Sequence, residues 1–163
     1  MSKWLKRTLM VLGVLIVVAQ VVRPSRTNPI SNPQDHIQAV VPVAPEVTAT
    51  LSRSCNDCHS NNTTWPWYSN VAPVSWLVAN DVKEGRSEMN FSAWRTYKGE
   101  KQLELLGKIC KQINEGEMPM ATYTWAHPQA KLSAADRQAV CSWSKTVAGN
   151  LPPGREDEEG EAD

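Results

Sequence analysis

Several things that would point to a function are absent from this sequence. There is no charge excess, since Lys+Arg and Asp+Glu each number 17, so the chain has no electrostatic footprint for nucleic acid. There is no sustained alternation of apolar β-branched residues, which leaves little basis for a sheet. Only four cysteines are present, and no second Cys or His pair at short spacing accompanies the first, which removes the usual four-ligand pattern of structural zinc. A βαβ pattern, the normal setting of a thiol redox pair, is also missing.

Charge is missing locally as well. Between Arg7 and Arg23 no side chain is ionisable, and the run comes after Lys3, Lys6 and Arg7. A basic segment before an apolar one directs the downstream chain across a membrane, with the positive charges left on the cytoplasmic side. The 15 residues from Thr8 to Val22 fall between a signal-peptide core and the roughly 20 residues of a spanning helix. No Ala-x-Ala site comes after the run, and no cysteine that could be lipidated. Residues 1–22 are therefore expected to be an uncleaved single-span anchor in a bacterial inner membrane, with secretion after cleavage as the alternative; the rest would lie in the periplasm.

Residues 23–45 contain five prolines, and this composition favours an extended, solvated chain. The expectation is a tether reaching on the order of 70 Å at about 3.1 Å per residue, with His36 solvated within it. Residues 46–150 would form one small all-α domain. Residues 151–163 carry six acids and one arginine and are expected to be disordered.

Within the domain, Val47, Leu51, Cys55 and Cys58 have helical spacing, so one helix should carry apolar side chains and both cysteines on one face. A second helix should run from about Pro73 and end at Gly85. A third places Leu103, Leu106, Ile109, Cys110 and Ile113 on one stripe and stops at Gly116; Gly107 inside it suits a close packing contact. The last opens at a capping box, Ser133 to Asp136, and runs to about Val147.

The stretch Arg53 to Trp67, "RSCNDCHSNNTTWPW", carries the chemistry. Cysteines three apart with a histidine directly after match the requirement for covalent haem: two thiols to add across vinyl groups and an adjacent imidazole to meet the iron. Export supports this reading, because c-type haem is attached outside the bacterial cytoplasm. Cys55 and Cys58 are expected to attach one haem c, with His59 as proximal iron ligand. Met118, placed in a loop by Pro119, is the favoured distal ligand; Met120 is the alternative, and His127, Met89 or an open position come after it. Ten aromatics could shelter the macrocycle, about half of them touching it: Trp65, Trp67, Tyr68, Trp76, Phe91, Trp94, Tyr97, Tyr123, Trp125 and Trp143. Arg86 or Arg95 could pair with haem propionates.

The run "CNDCHSNNTTWPWYSNVAPVSWLVANDVKEGRSEMNFSAW", with the preceding "RPSRTNP" and the later "EMPMATYTWAHPQAKLS", resembles the bacterial haem-binding domain family of exported, c-type-cytochrome-like proteins. The similarity extends from the anchor to about residue 147. Members commonly have MPP where this chain has Met118-Pro119-Met120. The resemblance implies a cytochrome-like fold with Cys55, Cys58 and His59 at the haem.

Cys110 and Cys141 stand outside that motif. In an oxidising compartment they form either a disulfide or two separately buried thiols; Cys141 falls away from the helix side that carries Val140, Trp143 and Val147. The functional expectation is a membrane-tethered, periplasmic monohaem c-type cytochrome that serves an unidentified redox partner protein and catalyses nothing itself. The alternatives are a haem enzyme or gas or peroxide sensor with an openable distal site, in which His127 would be the acid–base group, and an accessory haem subunit of a membrane redox complex.

Overall fold

The structure, a computed structural model, describes residues 2–151. The acidic tail expected to be disordered, from residue 152 onward, lies outside the described residues. Among those described there are eight α-helices and no strand: α1 (Lys3–Ala19), α2 (Ile37–Val40), α3 (Pro45–Ser54), α4 (Asn56–His59), α5 (Val74–Glu88), α6 (Gly99–Glu115), α7 (Ala121–Ala126) and α8 (Ala134–Asn150). Short 3-10 turns at Pro33–Asp35, Trp67–Asn70, Phe91–Thr96 and Pro128–Ala130 join them.

The core forms where α6 and α8 pack together and α3 closes onto α8. Leu105, Leu106, Ile109 and Ile113 of α6 meet Val140, Trp143 and Val147 of α8, and Val47 and Leu51 of α3 complete the layer with Phe91 and Trp94. Local signals set the helix ends. Gly116 takes the left-handed conformation, φ 75°, that stops α6. Ser133 and Asp136 form both halves of a capping box at the start of α8. Asp136 also meets Arg53 at 2.7 Å, which joins α3 to α8 and, with the Ser133 bonds, holds the carboxyl well below its usual range.

Helix α1 has no buried residue. No helix of the described residues is long and apolar enough to cross a membrane.

The expected tether is corrected. Ile37 is 1 % exposed and Val41 5 %, and both belong to the core. The segment before them is fastened along its length: Arg26 bonds Asn70 and Ser69, and Asn28 donates to the Thr63 carbonyl at 2.9 Å. His36 is half-buried and caps α2, its Nδ1 accepting from the Gln38 amide. Proline suppressed regular helix here, as composition implied, but two apolar side chains and several donors found places on the domain.

Gly85 is also corrected. It lies inside α5 rather than beyond its end. A Cβ built there would stand 2.7 Å from the Cys58 carbonyl oxygen and 3.0 Å from the Cys58 Cβ, so glycine is what lets α5 lie directly on α4. Gly107 serves no such purpose, because a Cβ there would meet nothing within 4 Å.

Cys110 and Cys141 form a disulfide with Cα atoms 4.7 Å apart. Cys141 is buried because α6 covers a wide arc of α8, more than the apolar stripe alone marks out.

Gly85→Ala gains about 1 kcal/mol of helix propensity, but the fixed backbone oxygen makes overpacking dominate, and a net loss of about 1–3 kcal/mol is expected; Gly107→Ala should instead be neutral or stabilising by up to about 1 kcal/mol. Urea denaturation of both variants measures the pair. Replacing Cys110 and Cys141 together by Ala removes a cross-link over 31 residues, and the midpoint should fall by the equivalent of about 3–4 kcal/mol.

Candidate cofactor site

Helix α3 does not continue through the cysteines. Cys55 leaves helical geometry at φ −128°, ψ −39°, and a new turn starts there: the amides of Cys58 and His59 both donate to the Cys55 carbonyl, at 3.2 and 2.9 Å. The expected single helix is thus two, and both thiols sit on the turn between and within them. This short turn is held from three sides. Asp57 accepts from the Thr64 amide at 2.9 Å and from the Tyr123 hydroxyl at 2.8 Å, while the Thr63 hydroxyl donates to the Asp57 carbonyl at 2.6 Å.

Cys55, Cys58 and His59 line one cavity of about 500 Å³, within the range of small-molecule and cofactor sites. Its apolar wall is built by Leu51, Phe91, Leu105, Ile109 and Ile113. Met118, Pro119 and Met120 line the same cavity, as does Met89. The structure therefore brings Cys55, Cys58 and His59 together with the three candidate sulfurs, those of Met89, Met118 and Met120, the last two 59 or more positions after His59.

His59 is oriented by its surroundings. Its Nδ1 is 3.0 Å from the Met89 carbonyl, and because a carbonyl only accepts, Nδ1 carries the proton. Nε2 is then the basic nitrogen. Burial lowers the pKa of this imidazole, partly offset by its backbone bonds to Met89 and Gly85, so it is neutral and able to ligate. Phe91 lies beside it, with ring centroids 6.1 Å apart.

Both thiols are held protonated. Burial, then the neighbouring Cys58, pushes Cys55 up to about 12; burial, then Asp57 and Asp81, pushes Cys58 up to about 11. Thiolate chemistry of the kind that serves zinc or disulfide exchange needs the opposite environment. Among the described residues no group of three or more His, Cys, Asp or Glu could hold a metal ion.

The distal loop is fixed at both ends. The amides of Glu117 and Met118 donate to the Gln112 carbonyl at 3.0 and 3.2 Å, and Met120 is the N-cap of α7. Tyr123, on α7, bonds Asp57 and so clamps this loop to the Cys55–His59 turn; burial and that carboxylate raise its hydroxyl pKa strongly.

Other sequence candidates are placed elsewhere. His127 does not line the cavity; it bonds the Tyr68 hydroxyl and stacks on Tyr123 at 4.5 Å. Of the ten aromatics only Phe91 and Tyr123 reach the wall, while Trp94 and Trp143 fill the core and Trp67 and Trp125 face solvent. The two arginines are committed to the 23–45 segment. Arg86 donates to the Thr27 carbonyl, Asn28, the Ser60 carbonyl and Thr63; Arg95 bonds the Gln34 carbonyl at 3.0 Å and Asp35 at 3.5 Å.

Sequence reasoning missed the charged rim. Asp81, Glu84 and Glu88 of α5 face Lys108 and Lys111 of α6 across the cavity. Helical spacing on two separate helices gives no sign that these charges share one site. It also missed Ser54, whose hydroxyl is buried on the wall with no hydrogen-bond partner; an orphaned polar atom there suits a bound group with polar atoms of its own.

An apolar cavity, a neutral imidazole, two thiols on one turn and three thioethers make a donor set that fits haem. A family model described as "Haem-binding domain" matches residues 14–146. No curated protein matches the chain, and no solved structure does. The match covers most of the sequence, and the chain belongs to the haem-binding domain family.

Proposed function

We propose that the protein is a membrane-tethered, periplasmic monohaem c-type cytochrome that passes single electrons. The observation that carries this reading is the convergence of Cys55, Cys58 and His59 with Met118 and Met120 on one apolar cavity. Haem bound there supplies a one-electron ferric/ferrous couple.

In this reading the chain contributes attachment, orientation and shelter. The Cys55 and Cys58 thiols would hold haem through thioether bonds to its two vinyl groups, each S–H supplying the hydrogen that the addition needs. His59 presents Nε2 to the iron, held by the Nδ1 bond to Met89, which fixes the ring and raises its basicity. Met118, directly after the pinned end of α6, would supply the second iron ligand, with Met120 as the alternative. A thioether opposite imidazole favours the ferrous state and raises the potential, which suits a carrier.

A peroxidase or sensor would draw on an acid–base group beside an open distal position. His127, the residue considered for that role, does not line the cavity but stacks on the wall residue Tyr123 and bonds Tyr68, which favours the carrier. In this reading the apolar run of α1, shorter than a full span, inserts as the anchor, with Lys3, Lys6 and Arg7 on the cytoplasmic side.

A denaturing gel stained for haem should show a stained band for the wild-type protein expressed with maturation machinery. Replacing Cys55 and Cys58 together by Ala should abolish it; absence of the wild-type band overturns covalent attachment. Met118→Ala should remove the long-wavelength band of methionine-ligated ferric haem, lower the reduction potential and admit carbon monoxide to the reduced protein, while Met120→Ala leaves all three nearly unchanged. The reverse pattern makes Met120 the ligand. No change in either variant removes the support for a His/Met carrier.

A further inference from the structure

We propose that the face formed by Trp67, Val71, Val74 and Leu77 lies on the lipid bilayer, so that the haem domain is docked on the membrane rather than swinging above it. The inference rests on the reading of α1 as a membrane anchor and adds to it a second, peripheral contact.

The first observation is the absence of slack between α1 and the domain. Gln20, the residue that ends α1, exchanges two hydrogen bonds with one residue: it accepts from the Ala72 amide at 2.9 Å and donates to the Ala72 carbonyl at 3.2 Å. Two residues on, the Val22 carbonyl accepts from the Trp76 indole at 2.8 Å. Arg26 then bonds Ser69 and Asn70. The chain leaving α1 is fastened to the start of α5 from its first residue.

That attachment point is flanked by exposed apolar side chains. Trp67 is 78 % exposed and Leu77 54 %, and Val71 and Val74 are exposed beside Ala72. Isolated exposed apolar residues are ordinary, but a group adjoining the end of an apolar helix with no buried residue is continuous with that helix's own uncovered surface. In the anchor reading, the bilayer that covers α1 ends beside this group.

Charge selects lipid as the occupant. From Ser60 to Asn80 there is no ionisable side chain except Tyr68, whose phenol is neutral at physiological pH. The nearest charge on α5 is Asp81, four residues after Leu77, which lines the cavity; the nearest along the strap are Arg23 and Arg26, both cationic and suited to anionic headgroups. A tryptophan beside aliphatic residues with cations at the rim is the composition of a membrane interface.

Length gives the same direction. With Lys3, Lys6 and Arg7 at the headgroups, the uncharged part of α1, Thr8–Ala19, rises about 18 Å, at 1.5 Å per residue, against a hydrocarbon core of about 30 Å. A short span draws its flanking residues towards the bilayer. Here those residues are bonded to the domain, so the Trp67–Leu77 face is drawn in with them.

The test uses the full, haem-loaded chain in phosphatidylethanolamine/phosphatidylglycerol vesicles, with a bimane label on a single introduced thiol. Three sites are compared: Leu12→Cys in α1, Leu77→Cys on the proposed face, and Lys145→Cys on α8. Fluorescence is measured in vesicles with brominated acyl chains and divided by that in unbrominated vesicles of the same composition. The label at Leu77 should be quenched several-fold, as at Leu12, while that at Lys145 is unchanged. Quenching at Leu12 with none at Leu77 overturns the docking proposal, leaves the anchor standing and turns attention to a protein partner for this face. Absence of quenching at Leu12 overturns the anchor and the docking proposal together.

Discussion

The close approach of α5 to the Cys55–His59 turn, with Gly85 against Cys58, is the constraint on which the site depends. Any side chain at residue 85 would enter the space of the Cys58 carbonyl, so α5 can lie on α4 only because no Cβ is there. That placement brings the end of α5 over His59, where the Met89 carbonyl accepts the Nδ1 hydrogen bond. The orientation of the imidazole, and with it the nitrogen offered to a metal, results from a packing distance between two backbones. Tyr123 and Asp57 add the second tie, from the opposite side, by holding the distal loop to the same turn.

The strap from Arg23 to Pro45 is the other unifying feature. Arg86 and Arg95, the two arginines best suited by type to carboxylate recognition, both bind this segment instead. Their guanidinium groups satisfy backbone carbonyls of a chain that has little regular structure of its own, which is how a proline-rich run becomes part of a domain. With Ile37 and Val41 in the core, the strap is held by apolar burial at one end and by polar bonds along the rest. The bonds of Gln20 to Ala72 and of the Trp76 indole to the Val22 carbonyl, just before the strap, place the exposed Trp67–Leu77 residues beside the end of α1.

The cavity's rim has one acidic wall and one basic wall. Burial and Glu84 push the Asp81 carboxyl up, whereas Glu104 pairs with Lys108 at 2.8 Å on the α6 side. A cofactor with an apolar body and charged substituents would be oriented by that difference, its apolar part meeting Leu105, Ile109 and Phe91. The site's polarity thus comes from side chains that are ordinary solvated charges when each helix is considered alone.

Much of this protein was legible in its sequence. The helical class, the stop at Gly116, the capping box at Ser133 and the association of Cys55, Cys58 and His59 depend on spacing within a few residues, where geometry is local and the chain itself enforces it. The tertiary structure alone decided the rest. The role of Gly85, the burial of Ile37 and Val41, the commitments of Arg86 and Arg95, the diversion of His127 to Tyr68, and the pairing of Cys110 with Cys141 all join elements distant in sequence. Each turns on which surface the packed helices bring opposite a given side chain, and a hydrogen-bond donor or a missing Cβ carries no label for its partner until that packing exists.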